Sequence, residues 1–416
     1  EQTMREKIAF VVGRYGKEIN GGAELHCRML AQRAAERYDI EILTTCIKDM
    51  VSKENSYPEG EETVDGILVR RFPVRQPEDG ISEKHYIRRL KPIWGIRRFL
   101  YTLGILKYIS MFDGWGLGYD IKAQERNVFH SEALDRYIIE HKDDYKAIIA
   151  ITSIFAPFYY TAMLAGEKMI GIPTMHDENA SFRNSLRLAV PRIRYMGFNT
   201  YAEQKLARRI FGKRLNSNGI ISVGIETPEP ADWESVRRKF NLPDEYIVYI
   251  GRIERYKTGK MLKYYSAYRK KYGQENTPPL VMVGNMTKRK KRYEVPGCVY
   301  TGFVSDSEKR SILQHAKVLI NPSRYESLSL ILLEALYDRV PVLVNGRCNV
   351  LKEHSIRSKG AVMQFTSRRS FTGNLHRILT DSTLVGQIRK AGKEYMDANY
   401  NWDTIMERLF AVIEKI

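Results

Sequence analysis

Short apolar runs alternate with longer amphipathic segments along the first half of the chain. Residues 7–12 (KIAFVV) form one such run, and residues 23–37 have the spacing of an amphipathic helix. This pattern predicts strands and helices in turn, which is the repeating unit of a parallel sheet. Further strands are predicted at residues 40–45, 66–71, 147–152 and 173–176, and further helices at residues 155–168 and 201–210.

A second alternation begins beyond residue 244. Residues 226–244 are polar and contain several prolines, and residues 246–250 then open a new series of apolar runs. Two α/β alternations joined by a linker predict two Rossmann-like domains, residues 1–225 and 226–400, with ligand bound in the cleft between them. The other strands of the second series are predicted at residues 280–283, 298–301, 318–320 and 340–344.

Residues 75–127 fit this alternation poorly, and we predict that they form an insertion in the first domain. Seven Lys and Arg residues lie between positions 84 and 107, mixed with large aromatic side chains. At helical spacing this mixture favours a helix that lies on anionic lipid headgroups, but it also suits a solvated face above a core stripe. The basic residues are Lys84, Arg88, Arg89, Lys91, Arg97, Arg98 and Lys107, and the aromatic ones are Tyr86, Trp94, Phe99 and Tyr101.

Length and charge narrow the class of protein. The 416 residues are too many for one ordinary core, and the formal net charge of +18 points to an anionic partner. An unbroken basic run at residues 288–292 contributes to this charge. An anionic membrane and an anionic substrate both remain open. Because no recognised nucleic-acid motif is present, we expect no nucleic-acid partner.

Neither a membrane span nor a secretion signal is predicted. No apolar run approaches the roughly 18 residues that a bilayer requires, and the N-terminus lacks the apolar core of a signal peptide. We therefore expect a cytoplasmic protein, with peripheral binding to the inner face of the cytoplasmic membrane left open by the basic segment. Cys27, Cys46, Cys298 and Cys348 are widely spaced, which predicts reduced thiols and no zinc site.

Candidate chemistry is concentrated in residues 321–335 (NPSRYESLSLILLEA). Glu326 and Glu334 flank the start of a helix predicted over residues 328–336. The free N–H groups of residues 327–329 would form the N-terminus of this helix, which is a ready site for a phosphate group. An anion site between two carboxylates matches a sugar nucleotide, in which a diphosphate separates a sugar from a ribose. A surface helix with incidental acids is the alternative.

Two cations are predicted close to the same site. In the segment GRIERYK, Arg252 and Lys257 follow the strand at residues 248–250. Open α/β sheets bind ligands at the carboxyl ends of their strands. Two cations there can neutralise a diphosphate both when the donor binds and when the diphosphate leaves.

Two segments of the first domain are weaker candidates. Gly21 and Gly22 precede the first helix and would let a ligand approach the backbone, although a glycine turn with Glu24 at the helix N-terminus explains them equally well. His176 follows a predicted strand, where it would hydrogen-bond a sugar hydroxyl, shuttle a proton or serve only the structure. The chain lacks a Gly-x-Gly-x-x-Gly fingerprint, which argues against a nicotinamide enzyme.

Together these motifs resemble those of a known enzyme family. Residues 321–335 resemble the Glu-x7-Glu signature of retaining family 4 glycosyltransferases, which have the α/β GT-B fold of two Rossmann-like domains facing a central cleft. GRIERYK resembles their phosphate-binding Gly-Arg…Lys loop, and NGGAE at residues 20–24 resembles their first-domain glycine loop. The similarity extends to residues 300–308, 340–346 and 398–409, so it spans both predicted domains.

The resemblance implies a role for each matching residue. Arg252 and Lys257 would bind the donor diphosphate. Glu326 would hold hydroxyl groups of the transferred sugar, and Glu334 would hold those of the ribose. The resemblance also implies donor contacts by Gly22 and by the amides of Ser327, Leu328 and Ser329. The backbone at Phe303 and Val304 would face the base.

The chain also departs from the family pattern. Many members have Gly-Phe-Gly where this chain has residues 327–329 (SLS), a change that places hydroxyl groups near the phosphate. Many also have a histidine after the strand that corresponds to residues 147–152. Here Thr152 and Ser153 occupy that region, so either His176 or the backbone would take the role of that histidine.

The implied function is retaining transfer of a hexose-type sugar from a nucleoside diphosphate, UDP or GDP, to a glycan or lipid-linked acceptor in surface polysaccharide synthesis. The alternatives are an epimerase or phosphorylase of the same fold, and a non-catalytic membrane-associated protein that binds nucleotide sugars. Family members usually need no metal, in line with the absence of an Asp-x-Asp motif here. We therefore expect no metal and no cofactor. Their tail helix crosses back onto the first domain, as expected here for residues 401–416.

Overall fold

The chain divides into two compact units in the computed structural model. Unit 1 contains Glu1–Gly224 and Trp402–Ile416, and unit 2 contains Ile225–Asn401. The structure describes residues 5–19, 21–77, 79–109, 113–286 and 293–416. Asn20 of the predicted glycine loop and the predicted basic run at residues 288–292 lie outside these residues.

Unit 1 is built on one sheet of eight strands within its described residues. The strands are β1 Lys7–Val11, β2 Asp39–Thr45, β3 Gly60–Val64, β4 Ile67–Phe72, β5 Ala147–Ile151, β6 Met169–Ile172, β7 Tyr195–Phe198 and β8 Ser217–Ile220. Their spatial order is β3-β4-β2-β1-β5-β6-β7-β8, and every neighbouring pair is parallel except β3 and β4. The helices are α1 Gly22–Ala34, α2 Glu83–Thr102, α3 Leu117–Glu125, α4 Glu132–His141, α5 Ala156–Ala165, α6 Asn184–Ala189 and α7 Tyr201–Phe211.

Strands β1 and β5 lie side by side near the middle of this sheet. They are buried along almost their whole length. Their sequences, KIAFV and AIIAI, are continuous apolar runs, as expected for parallel strands covered on both faces. The order of the strands reverses between β1 and β5. Open α/β sheets bind ligands at the carboxyl ends of the strands around such a switch point.

In its described residues, unit 2 repeats this architecture with a sheet of six parallel strands. The strands are β9 Ile247–Ile250, β10 Leu280–Val283, β11 Cys298–Gly302, β12 Val318–Asn321, β13 Val342–Asn345 and β14 Val362–Phe365. Their spatial order is β11-β10-β9-β12-β13-β14, so the switch point lies between β9 and β12. The helices are α8 Trp233–Phe240, α9 Arg255–Thr258, α10 Met261–Tyr272, α11 Asp306–Gln314, α12 Leu330–Tyr337, α13 Asn349–Arg357, α14 Arg368–Thr380 and α15 Ser382–Asn399.

The last helix, α16 Trp402–Ile413, belongs to unit 1. The guanidinium group of Arg33 lies 3.9 Å from the centroid of the Trp402 ring. The hydroxyl group of Tyr38 donates to Glu414 Oε1 at 2.6 Å. The start of the tail therefore contacts α1 through Trp402, and its end contacts Tyr38, shortly after α1, through Glu414.

The strand predicted at residues 173–176 is wrong. The observed strand is β6, whose apolar run MIGI ends immediately before Pro173. Proline has no N–H group for the strand ladder, and Thr174 has a φ of 48°, which is incompatible with an extended strand. His176 therefore lies in a loop four residues beyond the end of β6.

The predicted insertion contains α2 and α3, which pack on each other. The interpretation of its mixed basic and aromatic residues as one lipid-facing surface is wrong for most of the aromatic side chains. Tyr86, Trp94 and Tyr101 are buried in unit 1, as is Arg97, whereas Phe99 is 61% exposed. Helix α2 thus has a core stripe, as the alternative interpretation predicted. Within the described residues, none of the helices combines the length and apolar character that crossing a bilayer requires.

Candidate functional site

Three predicted site residues lie in two segments at the carboxyl edge of the unit 2 sheet, and Lys257 belongs to the short helix α9. Arg252 and Lys257 follow β9, and Glu326 follows β12. Strands β9 and β12 are neighbours at the switch point. The two segments therefore border the position where sheets of this kind bind ligands.

Lys257 and Glu326 form an ion pair. Lys257 Nζ donates to Glu326 Oε1 at 2.9 Å and lies 3.5 Å from Ser323 Oγ. The Lys257 side chain is 31% exposed and that of Glu326 is 17% exposed. The pair is therefore partly shielded from water but still accessible. An anion that binds here must share Lys257 with the carboxylate or displace it.

Arg252 combines a fixed backbone with an exposed side chain. The hydroxyl group of the buried Tyr249 donates to the carbonyl oxygen of Arg252 at 2.8 Å. Burial and the nearby charge of Glu326 raise the pKa of Tyr249, so this donor keeps its proton. The Arg252 side chain is 70% exposed, and its nearest acidic partner, Glu254 Oε1, is 3.5 Å away. The guanidinium group is thus held weakly and can reorient towards an anion.

Helix α12 begins at Leu330, two residues later than predicted. Ser329 precedes it with a φ of 76° and a ψ of 75°, in the left-handed region. Because a left-handed residue cannot continue a right-handed helix, the N-terminal amides are those of Leu330 and Ile331 and not those of residues 327–329. Glu334 consequently lies about one turn inside the helix.

Polar side chains hold the loop between β12 and α12. Asn321 Nδ2 donates to Ser329 Oγ at 2.8 Å, and Asn321 Oδ1 accepts from the N–H group of Ser323 at 3.0 Å. On the next strand, Asn345 Nδ2 donates to the carbonyl oxygen of Pro322 at 3.2 Å. These bonds satisfy buried polar groups of the loop and fix the backbone on both sides of Glu326.

His354 holds the same loop from α13. Its Nε2 lies 2.8 Å from the carbonyl oxygen of Leu328, and its Nδ1 lies 2.9 Å from the hydroxyl oxygen of Tyr395. A carbonyl oxygen can only accept, so Nε2 carries the proton and Nδ1 accepts from Tyr395. Burial lowers the pKa of His354 to about 4. This histidine is therefore neutral at physiological pH and serves the structure of the loop.

Glu334 has a partner that the sequence did not indicate. Lys309, on α11, places its Nζ 3.2 Å from Glu334 Oε1 and 3.2 Å from Asp306 Oδ1. The Glu334 side chain is only 15% exposed, and burial raises its pKa although the charge of Lys309 acts in the opposite direction. Lys309 thus favours the ionised form of a carboxylate whose pKa burial raises.

The predicted contacts of the base follow β11, the edge strand of the sheet. Phe303 is 61% exposed, and Val304 is 9% exposed. Strand β10 separates β11 from β9, so these residues lie on the same carboxyl edge but two strands from the switch point.

Two predicted site residues lie in unit 1. Gly22 begins α1, and a Cβ atom at this position would meet no other atom within 4 Å. Nearby, Glu24 Oε1 pairs with Arg14 Nη2 at 2.6 Å. His176 is 31% exposed, and its Nδ1 lies 3.2 Å from Glu178 Oε1. Neither residue belongs to the unit that contains Arg252 and Glu326.

Sequence reasoning missed Lys309, Asn321 and His354. Asn321 belongs to the motif at residues 321–335 and ends strand β12. Because an Asn side chain commonly fixes a turn at such a position, its role could have been predicted from the sequence. For Lys309 and His354 no local signal exists. Their partners lie 25 and 26 residues away along the chain, and only the packing of α11 and α13 brings them together.

Comparison with known proteins is consistent with this geometry. Residues 233–395, which include all the unit 2 residues described above, match the family model of glycosyl transferases group 1. Over 96% of its length the chain is 22% identical to an uncharacterized glycosyltransferase of Methanocaldococcus jannaschii, of which 95% is covered.

Solved structures share the fold along 99% of the chain. Sucrose-phosphate synthase from Thermosynechococcus elongatus is 15% identical, with a TM-score of 0.67 over 99% of that chain. Anabaena HepE, solved in complex with UDP and glucose, is 13% identical, with a TM-score of 0.65 over 100% of that chain. The fold of two Rossmann-like α/β domains with mainly parallel sheets is therefore the GT-B fold, as predicted.

Proposed function

We propose that this chain is a retaining glycosyltransferase that moves a hexose-type sugar from a nucleoside diphosphate donor to a glycan or lipid-linked acceptor. The observation that carries the proposal is the grouping of two cations and a carboxylate, Arg252, Lys257 and Glu326, at the switch point of the unit 2 sheet. The match of residues 233–395 to group 1 glycosyl transferases supports the same activity.

Each group has a proposed role in donor binding. The diphosphate contacts Arg252, Lys257 and the amides at the start of α12, where the helix dipole favours an anion. Glu326 accepts hydrogen bonds from hydroxyl groups of the transferred sugar. Glu334, whose ionised form the charge of Lys309 favours, accepts hydrogen bonds from the ribose hydroxyl groups. The two carboxylates thus hold the donor and are not an acid and base pair.

The proposed chemistry places the charge on the leaving group. As the bond between the sugar and the diphosphate breaks, negative charge grows on the diphosphate. The acceptor hydroxyl forms its new bond to the sugar on the face that the diphosphate leaves, and its proton passes to the diphosphate. Arg252 and Lys257 stabilise this charge, and the protein supplies no covalent nucleophile in this scheme.

Arg252→Ala is the direct test of this scheme. Removal of one preorganised charge-stabilising group should reduce kcat by roughly 10² to 10³. Arg255→Ala, which removes an exposed arginine of the same loop region, is the matched control and should retain near-normal activity. A near-normal kcat of Arg252→Ala at saturating donor would reject the assignment.

We propose UDP as the nucleotide, with GDP as the alternative. HepE, which shares the fold, was solved with UDP and glucose. The backbone at Phe303 and Val304 is the proposed contact of the base. Thermal shift measurements with UDP-, GDP- and dTDP-sugars test this, because a ligand that binds only the folded state raises its melting temperature. A larger shift with GDP-sugars would contradict the choice of UDP.

We also propose that His176 forms a hydrogen bond with a reacting hydroxyl group. Its partly exposed ring and its pairing with Glu178 suit a hydrogen-bonding role. His176→Ala should then lower kcat while the donor affinity stays unchanged. An unaltered kcat would leave this histidine with a structural role.

Two rival functions predict different behaviour. An epimerase would consume sugar nucleotide without an acceptor, and a phosphorylase would require free phosphate. A non-catalytic binding protein would bind nucleotide sugars and vesicles but transfer sugar to no acceptor. The ion pair between Lys257 and Glu326 and the support of Glu334 by Lys309 favour a working donor site over a vestigial one.

A lipid-linked acceptor, as used in surface polysaccharide synthesis, would require contact with a membrane, and we propose that the end of α2 provides it. Phe99 near the end of α2 and Leu103 and Tyr108 beyond it are 61%, 55% and 73% exposed. The basic Arg88 and Arg89 are exposed about three turns before Phe99 on α2. Apolar side chains beside cations suit an anionic lipid surface. The buried Arg97 cannot contribute, and Arg98 Nη2 is engaged by Asp177 Oδ1 at 3.1 Å.

Vesicle binding tests this surface. Replacement of Phe99, Leu103 and Tyr108 by Ser should abolish sedimentation with vesicles that contain anionic lipid. Ile356→Ser in unit 2 removes a comparably exposed apolar side chain and should have no effect. Equal binding of both variants would reject the membrane contact.

A further inference from the structure

Arg310, on α11, joins three segments of unit 2. Its Nη2 donates to Asp338 Oδ1 at 3.1 Å, and Gln314 Nε2 donates to the same oxygen at 3.0 Å. On its other side, Nη1 donates to the carbonyl oxygens of Thr227 and Pro228 at 3.1 and 2.7 Å. The Arg310 side chain is 16% exposed and that of Asp338 is 6% exposed. Only a planar guanidinium group can serve a carboxylate and a backbone segment on two sides in this way.

Asp338 occupies an unfavourable position for an acidic residue. It caps the C-terminus of α12, where the helix dipole disfavours negative charge. Its N–H group donates to the carbonyl oxygen of Glu334 at 3.0 Å, so the two acids are four positions apart on one face of the helix. Like charges at this spacing repel each other. The pairing with Arg310 offsets these effects, and residues that break a local rule in this way are concentrated at functional sites.

This pair lies beside the proposed contact of the ribose. Glu334 binds Lys309, which immediately precedes Arg310 on α11. Two consecutive cations of α11 therefore bind two carboxylates of α12. From α15, Arg389 reaches the same end of α12, where its Nε donates to the carbonyl oxygen of the residue after Asp338 at 3.2 Å. Arg389 thus contacts backbone there, whereas Arg310 binds the carboxylate.

The charges around Glu334 influence whether it is ionised. Burial is the main cause of its raised pKa, and the charge of Lys309 opposes this effect. The charges of Asp306 and Asp338 both add to the raised pKa. Without Arg310, the charge of Asp338 would be unpaired and would act on Glu334 more strongly. A protonated carboxyl group is a poorer acceptor of hydrogen bonds from hydroxyl groups than a carboxylate.

We propose that Arg310 is a positioning residue for the donor nucleotide, which binds Asp338 and thereby keeps Glu334 available to the ribose hydroxyl groups. Arg310 acts through these two carboxylates and is assigned no contact with the donor. Its bonds to Thr227 and Pro228 hold the guanidinium group in place. The inference rests on the proposed function, because Glu334 is the proposed contact of the ribose.

The test separates the charge of Arg310 from its bonds to the backbone. Arg310→Met removes both, and Arg310→Lys retains the charge. A double variant combines Arg310→Met with Asp338→Asn and so removes both members of the ion pair. Arg269→Met is the matched control, since Arg269 of α10 likewise donates to a backbone carbonyl oxygen, that of Pro296. Affinity for UDP and GDP is measured by calorimetry at pH 8 and pH 6, and stability is measured by urea unfolding.

We expect Arg310→Met to bind the nucleotide about tenfold more weakly than the wild type at pH 6, which is the effect of losing one hydrogen bond. The decrease should be smaller at pH 8, because a carboxyl group with a raised pKa is protonated less as the pH rises. The double variant should recover most of the affinity, since Asp338→Asn removes the unpaired charge. Arg310→Lys and Arg269→Met should lose stability but keep the affinity of the wild type.

Two results would overturn the inference. If Arg310→Met bound the nucleotide as tightly as the wild type, or if the double variant recovered none of the lost affinity, Arg310 would serve only the structure of unit 2. Both results require a wild-type protein that binds UDP or GDP. Absence of nucleotide binding by the wild type would instead reject the proposed donor site, and this inference with it.

Discussion

Asn321 Nδ2 donates a hydrogen bond to Ser329 Oγ at 2.8 Å and so joins the end of β12 to the residue that precedes α12. Both side chains are buried, and the loop between them carries Glu326. Ser329 adopts a left-handed conformation that glycine would adopt without strain. The strained backbone of Ser329 costs stability, and the hydrogen bond that its hydroxyl accepts from the Asn321 amide offsets this cost.

This relationship predicts an unusual order of stability for substitutions at Ser329. Ser329→Ala keeps the strained Cβ atom and leaves a buried amide without its partner, so it should destabilise the protein by about 1–3 kcal/mol. Ser329→Gly also loses the hydrogen bond but relieves the strain, and should be about 1 kcal/mol more stable than the alanine variant. Urea unfolding measures both. If alanine were as stable as serine, the hydrogen bond would contribute nothing.

The ion pair between Lys257 and Glu326 predicts opposite effects on binding and turnover. In Glu326→Gln the carboxylate no longer competes with a diphosphate for Lys257, so the affinity for UDP should rise by about fivefold, equivalent to about 1 kcal/mol. Transfer should fall sharply, because the sugar loses its carboxylate. Calorimetric titration with UDP and a transferase assay measure the two effects. Glu245→Gln, which neutralises a carboxylate paired with Lys317 at 2.7 Å, is the control. Weaker UDP binding by Glu326→Gln would contradict this competition.

The contact between Lys309 and Glu334 predicts a dependence of donor binding on pH. Burial already raises the pKa of Glu334, and the loss of the Lys309 charge in Lys309→Met should raise it further. A carboxylate loses its charge as the pH falls through its pKa, so UDP should bind the variant more weakly as the pH is lowered from 8 to 5.5. The same decrease should be smaller in the wild type.

Lys309→Arg restores the charge and should restore the pH profile of UDP affinity. Lys239→Met is the control for the loss of a lysine beside α11, because Lys239 Nζ pairs with Glu308 Oε1 of that helix at 2.6 Å. Parallel pH profiles for the wild type and Lys309→Met would show that Lys309 does not tune Glu334.

The buried His354 predicts a loss of stability in mild acid. Its pKa is about 4 in the folded protein and about 6.5 when unfolded, so between these values the unfolded chain binds the additional proton. Stability from this group is complete above about pH 6.5 and declines as the pH falls towards 4, with a loss of about 2 kcal/mol at pH 5. His354→Gln, which can still donate to Leu328, should reduce this decline.

The measurement for His354 is the urea midpoint at pH 7.5 and pH 5. The buried His26 of unit 1, with a pKa that burial likewise lowers to about 4, adds a similar dependence and serves as an internal comparison. His26→Gln and His354→Gln should each remove part of the decline. If the urea midpoint of His354→Gln fell between pH 7.5 and pH 5 as much as that of the wild type, the protonation of His354 would not cause the decline.

Local sequence predicted much of the fold and the nearby parts of the site. Residues 280–283 are apolar and β-branched in part, and the strand observed there has these bounds. The positions of Arg252 and Lys257 after β9 could equally be predicted, because the two residues are separated by only a few positions along the chain. By contrast, the strand expected at residues 173–176 was wrong, since the sequence did not reveal that Thr174 adopts a positive φ.

The amino-acid sequence by itself determined the alternation of strands and helices, the two-domain architecture and the identity of the residues that follow β9 and β12. These features depend on periodicity and on neighbours within a few positions. Only the tertiary structure decided that Lys257 pairs with Glu326, that Lys309 supports Glu334 and that Thr152 meets Thr174. The physical reason is distance along the chain: these contacts join segments 22 to 69 residues apart, and their geometry is set by packing between elements, which no local pattern encodes.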